Sequence, residues 1–175
     1  ADSRLIEPGS LFAAMPGTQV DGARFVPGAV AAGAVAVLAS DSVNIADCPV
    51  PVIRAADPRR ALALMAARFY GRQPEVAVAV TGTSGKTSVA DFARQTLPAA
   101  GRPPASLGPI GIVRPDGGVY GSLTTPDPIT PPVSLAGLAA AGVTPIAFEA
   151  SPHGPDQRPL DGLALPAPAF PNPAR

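Results

Sequence analysis

Residues 76–88 read Val-Ala-Val-Ala-Val-Thr-Gly-Thr-Ser-Gly-Lys-Thr-Ser. The continuous apolar run at 76–80 predicts a strand that is buried on both faces of a parallel sheet. A glycine-bearing turn follows this strand directly, and residues 88–97 have the character of a helix. A strand, a turn and a helix in this order predict α/β architecture with a parallel sheet.

The turn in this stretch has the residue types of a phosphate-binding loop. Gly82 and Gly85 permit backbone angles that point several N–H groups at one anion, and the helix start adds the positive end of its dipole. Lys86, the only lysine of the chain, supplies a charge for the β and γ phosphates of ATP, and the Thr87 hydroxyl can bind Mg²⁺. The predicted ATP-binding residues are Gly82, Thr83, Ser84, Gly85, Lys86, Thr87 and Ser88, with Lys86 as the catalytic residue.

The loop departs from the strict phosphate-loop pattern at its first position. That pattern requires a glycine five residues before Gly85, and the chain has Val80 there. The alternative is a surface turn that happens to contain Gly-Lys-Thr. The strand, turn and helix all fall where the motif requires them, so we interpret the segment as a phosphate loop.

Regular elements are predicted on the amino-terminal side of this loop. Short strands are expected at 10–14, 34–38 and 50–53, with a helix at 27–32. A second helix begins at Asp57-Pro58, and its apolar residues at helical spacing predict one buried stripe made of Leu62, Met65 and Phe69. Gly71-Arg72-Gln73-Pro74 ends that pattern, which predicts one domain at 1–72 and another at 73–175.

Further strands are predicted after the loop. Residues 112–113 and 119–120 flank a Pro-Asp-Gly-Gly turn, and the strand at 146–149 ends on Glu149. Of the 24 prolines, 7 fall in residues 1–97 and 17 in residues 98–175, which makes regular structure less expected in the second half.

Composition excludes several classes of function. The formal net charge is zero, so no nucleic-acid partner is expected. Cys48 is the only cysteine, and no Cys/His cluster has zinc spacing. The apolar stretches are too short to span a membrane, and no signal peptide is recognised, so a cytoplasmic protein is expected.

Residues 81–87, Thr-Gly-Thr-Ser-Gly-Lys-Thr, resemble the ATP loop of the Mur ligase family, in which asparagine is typical at the position of Ser84. Three more stretches resemble the family member that adds the third residue to the muramyl peptide. They are Asp2-Ser3-Arg4 with Pro-Gly-Ser-Leu-Phe-Ala at 8–13, Leu-Thr-Thr-Pro-Asp-Pro at 123–128, and Glu-Ala-Ser-Pro-His-Gly at 149–154. The resemblance runs along nearly the whole chain in order and spacing.

This resemblance implies a three-domain enzyme of well over twice this length, truncated here at both ends. The chain would hold a small UDP-MurNAc-binding α/β domain and an incomplete parallel-sheet ATPase domain of the P-loop type. The carboxyl-terminal domain and the later central domain, with a metal-binding histidine and a carbamylated lysine, would be absent. We therefore expect the chain alone to bind nucleotide without forming an amide bond.

The family's activity is ATP-dependent amide-bond formation in peptidoglycan synthesis, through an acyl phosphate. The implied cofactors are ATP and Mg²⁺, and the implied partners are UDP-MurNAc-L-Ala-D-Glu and an amino acid, for which we expect meso-diaminopimelate. A monomer is expected. By the same resemblance, the residues that would contact the UDP-linked substrate are Ser3, Thr18, Gln19, Val20, Thr124, Thr125 and Ser151.

Glu149 would bind magnesium beside Thr87 in such an enzyme. The residues agree, because open α/β sheets place ligands at the carboxyl ends of their strands, although a solvated strand end is the alternative. Some positions depart from the family: Pro152 replaces a serine, and a substrate-binding arginine aligns with Pro159, beside Arg158. Pro131 and Pro132 fall where the family continues a helix, which they are expected to interrupt, and Pro171 and Pro173 are expected to interrupt a segment that resembles a strand. His153, the only histidine, is expected to be structural.

Two other interpretations stay open. The proline-rich second half favours a decaying, non-catalytic fragment without retained binding. A small-molecule kinase that shares only the phosphate loop is the second alternative.

Overall fold

The computed structural model describes residues 2–17, 21–82, 85–96, 103–108, 111–114, 117–120, 128–150, 161–164 and 167–172. The chain divides into two compact units, Ala1–Leu62 and Ala63–Arg175. This division falls inside a helix at Pro58–Tyr70. The domain boundary predicted between residues 72 and 73 follows that helix, and it stays a prediction.

The first unit is built on a three-stranded parallel sheet. Its strands are β1 (Leu11–Ala14), β2 (Ala36–Ser40) and β3 (Val52–Ala55), which lie in the order β1-β2-β3. Helix α1 (Val26–Ala31) connects β1 to β2 and packs Val26 and Ala29 against Phe12 and Val37 of the sheet. The strands and the helix predicted for this part are confirmed, with ends shifted by up to two residues.

Helix α2 (Pro58–Tyr70) begins where the sequence predicts, because the Asp57 carboxylate accepts a hydrogen bond from the Arg60 N–H at 3.0 Å. The predicted buried stripe is wrong in its last member. Leu62 is buried and Met65 half-buried, but the Phe69 side chain is 83% exposed. A stripe is buried only as far as neighbouring elements cover the helix, and all of residues 68–70 are exposed.

The second unit contains a six-stranded sheet in the order β7-β6-β5-β8-β4-β9. Strands β5, β8, β4 and β9 are parallel, and β6 and β7 pair antiparallel as the predicted hairpin. The strands are β4 (Ala77–Gly82), β5 (Ala105–Gly108), β6 (Gly111–Val113), β7 (Val119–Tyr120), β8 (Ile146–Ala150) and β9 (Ala167–Asn172). The helices are α3 (Lys86–Thr96) and α4 (Thr130–Ala140).

Both faces of this sheet are covered, as the apolar run at 76–80 predicts. On one face Ala90 of α3 packs with Val80 and Ala147. On the other face Leu135 and Leu138 of α4 pack with apolar residues of the parallel strands, which are Ala77, Ala79, Ala105, Leu107 and Ile146. Small alanines on the strands let the helices approach the sheet closely.

The expected interruption of a helix by prolines is wrong. Helix α4 begins at Thr130, so Pro131 and Pro132 lie in its first turn. Amides of the first turn have no intrahelical acceptor, and the fixed φ of proline suits that position. The first amide that needs an acceptor belongs to Val133, and it donates to the Ile129 carbonyl at 3.2 Å.

The expected interruption of a strand at Pro171 is also wrong. Among the described strands β9 lies at the edge of the sheet, and it pairs with β4 through Val80↔Ala169 and Gly82↔Asn172. The register shifts between these two pairs, which places Pro171 in a bulge of an edge strand. Edge strands and bulges tolerate a missing N–H donor. Pro173 lies outside the described residues.

Of the helices that the structure describes, the longest is α2, and none has the length and apolar character that crossing a bilayer requires.

Candidate functional site

The candidate site lies at the carboxyl edge of the second sheet. Strands β5, β8 and β4 are parallel neighbours, so their carboxyl ends meet at one edge. These ends carry Gly108, Glu149 and Gly82, respectively. The chain leaves β4 here and returns at Gly85 to start α3, while Thr83 and Ser84 lie outside the described residues. The sheet therefore brings three separate segments to one place.

Helix α3 begins at this edge with Lys86 and Thr87 as its first two residues. Gly85 precedes it with a φ of 78°, a left-handed backbone conformation that residues with a side chain rarely adopt. The Gly85 carbonyl accepts the Val89 N–H at 2.9 Å and so starts the helical hydrogen-bond pattern. A glycine is thus needed here for its backbone conformation, and the positive end of the helix dipole faces the loop.

Thr87 and Glu149 meet at the centre of this edge. The Thr87 hydroxyl donates a hydrogen bond to Oε2 of Glu149 at 3.1 Å, although the two residues are 62 positions apart. Thr87 is exposed and Glu149 half-buried, so the pair is reached from solvent. The structure therefore brings together the two residues that the sequence predicts as metal ligands.

The chemistry and spacing of this pair fit magnesium. Mg²⁺ binds oxygen ligands at about 2.0–2.1 Å in octahedral geometry, which puts adjacent ligand oxygens roughly 2.9 Å apart. The 3.1 Å between the Thr87 and Glu149 oxygens is close to that value. The described residues contain no group of three or more His, Cys, Asp or Glu side chains that could hold a metal. A magnesium ion here would thus take its other ligands from water and phosphate, as is usual for this ion.

Of the residues predicted to contact the UDP-linked substrate, the structure describes only Ser3. It lies in a single 3-10 turn (Ser3–Leu5) of the first unit, and Asp2 caps that turn by accepting from the Arg4 amide at 3.0 Å. The hydrogen bonds from the Arg4 guanidinium, and then from its amide, lower the pKa of Asp2 to about 2. The predicted residues outside the described part are Thr18, Gln19, Val20, Thr124, Thr125 and Ser151, as are His153 and Arg158.

Gly108 is a residue of this edge that the sequence analysis missed. A Cβ atom added to it would lie 2.5 Å from Oε1 of Glu149. The signal that could have found it is a glycine at the carboxyl end of a strand, where glycine often marks a close approach. The sequence analysis did not predict that strand, so it did not identify Gly108 as a residue at a strand end.

The second unit has the fold of a mixed α/β domain in which a loop and a helix follow a buried parallel strand at the carboxyl edge of the sheet. Comparison with models of protein families then identifies the family. Residues 1–70 match the catalytic domain of the Mur ligase family, and residues 80–170 match the Mur ligase middle domain. The chain belongs to the Mur ligase family. These matches extend far beyond the seven residues of the loop.

Curated relatives match along nearly the whole chain. The UDP-N-acetylmuramoyl-L-alanyl-D-glutamate–2,6-diaminopimelate ligase of Brucella melitensis is 55% identical over 172 residues, which cover 98% of this chain and 35% of the relative. The protein of the same name from Caulobacter vibrioides is 49% identical over 178 residues, which cover 98% and 36%. The chain thus spans about a third of the length of these relatives.

Solved structures show the same fold. A UDP-N-acetylmuramoyl-L-alanyl-D-glutamate–2,6-diaminopimelate ligase matches with a TM-score of 0.78 at 24% identity, covering 99% of this chain and 36% of that one. The MurF ligase from Thermotoga maritima in complex with ADP matches with a TM-score of 0.56 at 21% identity, covering 91% and 33%. At such identities the likeness concerns the fold alone.

Proposed function

We propose that this chain is part of an ATP-dependent ligase of peptidoglycan synthesis, which joins 2,6-diaminopimelate to UDP-N-acetylmuramoyl-L-alanyl-D-glutamate. Membership in the family and the identity to ligases of that name support this proposal. The observation that carries it is the Thr87–Glu149 pair, which lies at the start of the helix after the loop. We further expect a cytoplasmic monomer whose ligands are small molecules.

In this proposal the second unit binds Mg-ATP. The loop around the phosphates would consist of Gly82, Thr83, Ser84 and Gly85. The start of α3, with Ser88 in its first turn, adds the dipole that favours anions. Lys86 lies in the same turn, where its ammonium group can bind the β and γ phosphates. Magnesium, when bound by Thr87 and Glu149, would offset phosphate charge.

The ligase reaction moves one phosphoryl group and forms one amide bond. A carboxylate oxygen of the D-glutamyl residue attacks the γ phosphorus of ATP, and ADP leaves. The amine of the incoming amino acid then attacks the acyl carbon, inorganic phosphate leaves, and the nitrogen loses a proton. Lys86 would stabilise the charge on the phosphoryl group during the first step, which is an electrostatic and positioning role.

The first unit is proposed to bind the UDP-linked substrate. Ser3 is held in the capped turn described above, and Thr18, Gln19 and Val20 would contact the same end of the nucleotide. Thr124, Thr125 and Ser151 of the second unit would hold the sugar-phosphate end. Family membership supports these assignments, since the match covers the segments that contain all seven residues.

Thermal unfolding with and without Mg-ATP tests the nucleotide part of the proposal. At a concentration of 100 times Kd, a ligand stabilises a protein by about 2.7 kcal/mol, which raises the unfolding midpoint by about 5–10 °C at this size. We expect this rise for the 175-residue chain and its loss in Lys86→Ala. Arg94→Ala is the matched control, because it removes a positive charge near the other end of the same helix.

The proposal fails if the unmodified chain gains no stability from Mg-ATP, which is the result expected of a decaying fragment. It also fails if Lys86→Ala is stabilised as much as Arg94→Ala, because the phosphates would then bind elsewhere.

A further inference from the structure

Gly108 leaves a space that the Glu149 side chain fills. Strand β5 ends at Gly108, next to β8, with Leu107 paired to Phe148. A Cβ atom on Gly108 would lie 2.5 Å from Oε1, 3.0 Å from Cδ and 3.4 Å from Cγ of Glu149. The glutamate side chain therefore passes directly over the Gly108 α-carbon.

The two oxygens of this carboxylate have different neighbours. Oε1 lies against Gly108, whereas Oε2 accepts the hydrogen bond from the Thr87 hydroxyl at 3.1 Å. A side chain at position 108 would occupy the space of the first oxygen and rotate the carboxylate. That rotation would carry the second oxygen away from Thr87, because both oxygens belong to one rigid group.

We propose that Gly108 is a positioning residue for the magnesium site. Because Gly108 has no side chain, the Glu149 carboxylate can lie beside the Thr87 hydroxyl, where Oε2 of Glu149 and the hydroxyl oxygen of Thr87 can bind one cation. This inference rests on the proposed nucleotide site and assigns a role to a residue that would touch neither metal nor nucleotide. The hydrogen bond from Thr87 holds one oxygen of the carboxylate, and the absent Cβ at position 108 leaves room for the other.

The substitution Gly108→Ala separates this role from a role in folding. Gly108 lies in a strand without a left-handed φ, so alanine can adopt its backbone conformation. The atoms that the new methyl group would meet belong to the far end of a flexible side chain, which moves at little cost. The variant is thus expected to keep its fold and lose the arrangement of the carboxylate.

The test measures ATP affinity by calorimetry with excess Mg²⁺ and again with EDTA, for the unmodified chain and for Gly108→Ala. The ratio of the two affinities is the magnesium enhancement. Misplaced supporting groups weaken metal sites roughly 10–100-fold, so we expect the enhancement to fall by about tenfold or more. The affinity in EDTA and the thermal midpoint without ligand should stay unchanged.

Gly137→Ala is the matched control, since Gly137 is an exposed residue of α4 and an added Cβ would meet no atom within 4 Å apart from its chain neighbours and the backbone of its own helix. The control should keep the full magnesium enhancement. A full enhancement in Gly108→Ala would overturn the role of Gly108 while leaving the proposed nucleotide site intact. An unmodified chain without any magnesium enhancement would overturn both proposals, so the two failures are distinguishable.

Discussion

The first sheet and the parallel strands of the second sheet differ at their carboxyl edges. In the first sheet, Ser40 Oγ lies 2.9 Å from Ser42 Oγ, and the Arg54 guanidinium donates to the carbonyl oxygens of Ser40 and Val43. In the second sheet, a hydroxyl and a carboxylate from distant segments meet, Thr87 on α3 and Glu149 on β8. In the part of the first edge that the structure describes, these polar groups bond to one another and to nearby carbonyls, whereas the second edge presents a hydroxyl and a carboxylate that a cation can bind.

This difference shows that parallel strand ends alone do not make a cation site, which also needs oxygen ligands from separate segments at one edge. The parallel strands of both sheets end at one edge, and both sheets bury alanine-rich cores. Only the second edge combines a helix start, a lysine and a carboxylate. The pairs of the first edge are at most 14 residues apart, so they stabilise local loops, while the second pair joins segments 62 residues apart.

The largest expected effect concerns the core of the first unit. Phe12 is 1% exposed, and Phe12→Ala should lower the free energy of unfolding by about 3–5 kcal/mol, because it removes buried apolar surface and leaves a cavity. Urea unfolding measures this change. Phe92→Ala is the matched control: its ring is 64% exposed, and its removal should cost about 0.5 kcal/mol or less. A loss for Phe12→Ala as small as the one expected for Phe92→Ala would show that Phe12 is not part of a packed core.

The next effect concerns the charge at the second edge. Glu149→Gln keeps the shape of the side chain and removes its charge, so the magnesium enhancement of ATP affinity should fall about tenfold, or about 1.4 kcal/mol. Calorimetry with Mg²⁺ and with EDTA measures the enhancement. Glu7→Gln removes an exposed carboxylate of the first unit and should leave it unchanged. If the two variants behave alike, Glu149 has no part in metal binding.

A smaller effect is expected at the first edge. Arg54→Ala removes the hydrogen bonds to the carbonyls of Ser40 and Val43, which should cost about 1 kcal/mol of unfolding free energy. The affinity for Mg-ATP should not change, because these bonds support a loop of the first unit. A clear drop in that affinity would remove the distinction between the two edges.

The smallest effect concerns pH. The Arg4 hydrogen bonds lower the pKa of Asp2 in the folded chain to about 2, from an ordinary value of 3.8. The stability that the charged Asp2 contributes is therefore complete above about pH 4 and is lost as the pH falls through 2. Asp2→Asn should thus slightly lower the thermal midpoint at neutral pH. The difference from the unmodified chain should shrink steadily as the pH falls from 4 to 2. A difference at pH 2 as large as that at pH 7 would assign the effect to something other than the Asp2 charge.

The centre of the second sheet could be predicted from the sequence. Residues 76–80 are apolar throughout, as a strand covered on both faces must be, and the glycine turn marks where the helix begins. The residues alone also place Glu149 and Thr87 at the same edge. Their pairing into one metal site was implied by the family resemblance, and the 3.1 Å hydrogen bond is consistent with it.

The parts that the sequence did not predict depend on long-range contacts. Strand β5 (Ala-Ser-Leu-Gly) follows Pro103-Pro104 and contains no β-branched or aromatic residue, so its composition does not predict a strand, and the role of Gly108 went unnoticed with it. The prolines of α4 and β9 were expected to break these elements, because sequence alone does not fix where a helix begins or which strand lies at an edge. Phe69 keeps its place in the helical pattern, but its side chain stays 83% exposed, because position in a helix does not decide which side chains other elements cover.

A crystal structure of the chain with ADP and Mn²⁺ in place of Mg²⁺ tests the central claim most directly, because the anomalous signal of manganese locates the cation. The account predicts one peak about 2.2 Å from the Thr87 hydroxyl oxygen, with Glu149 Oε2 bound to it directly or through one water, and the β phosphate beside Lys86. A peak away from Thr87 and Glu149, with ADP bound elsewhere, would contradict it.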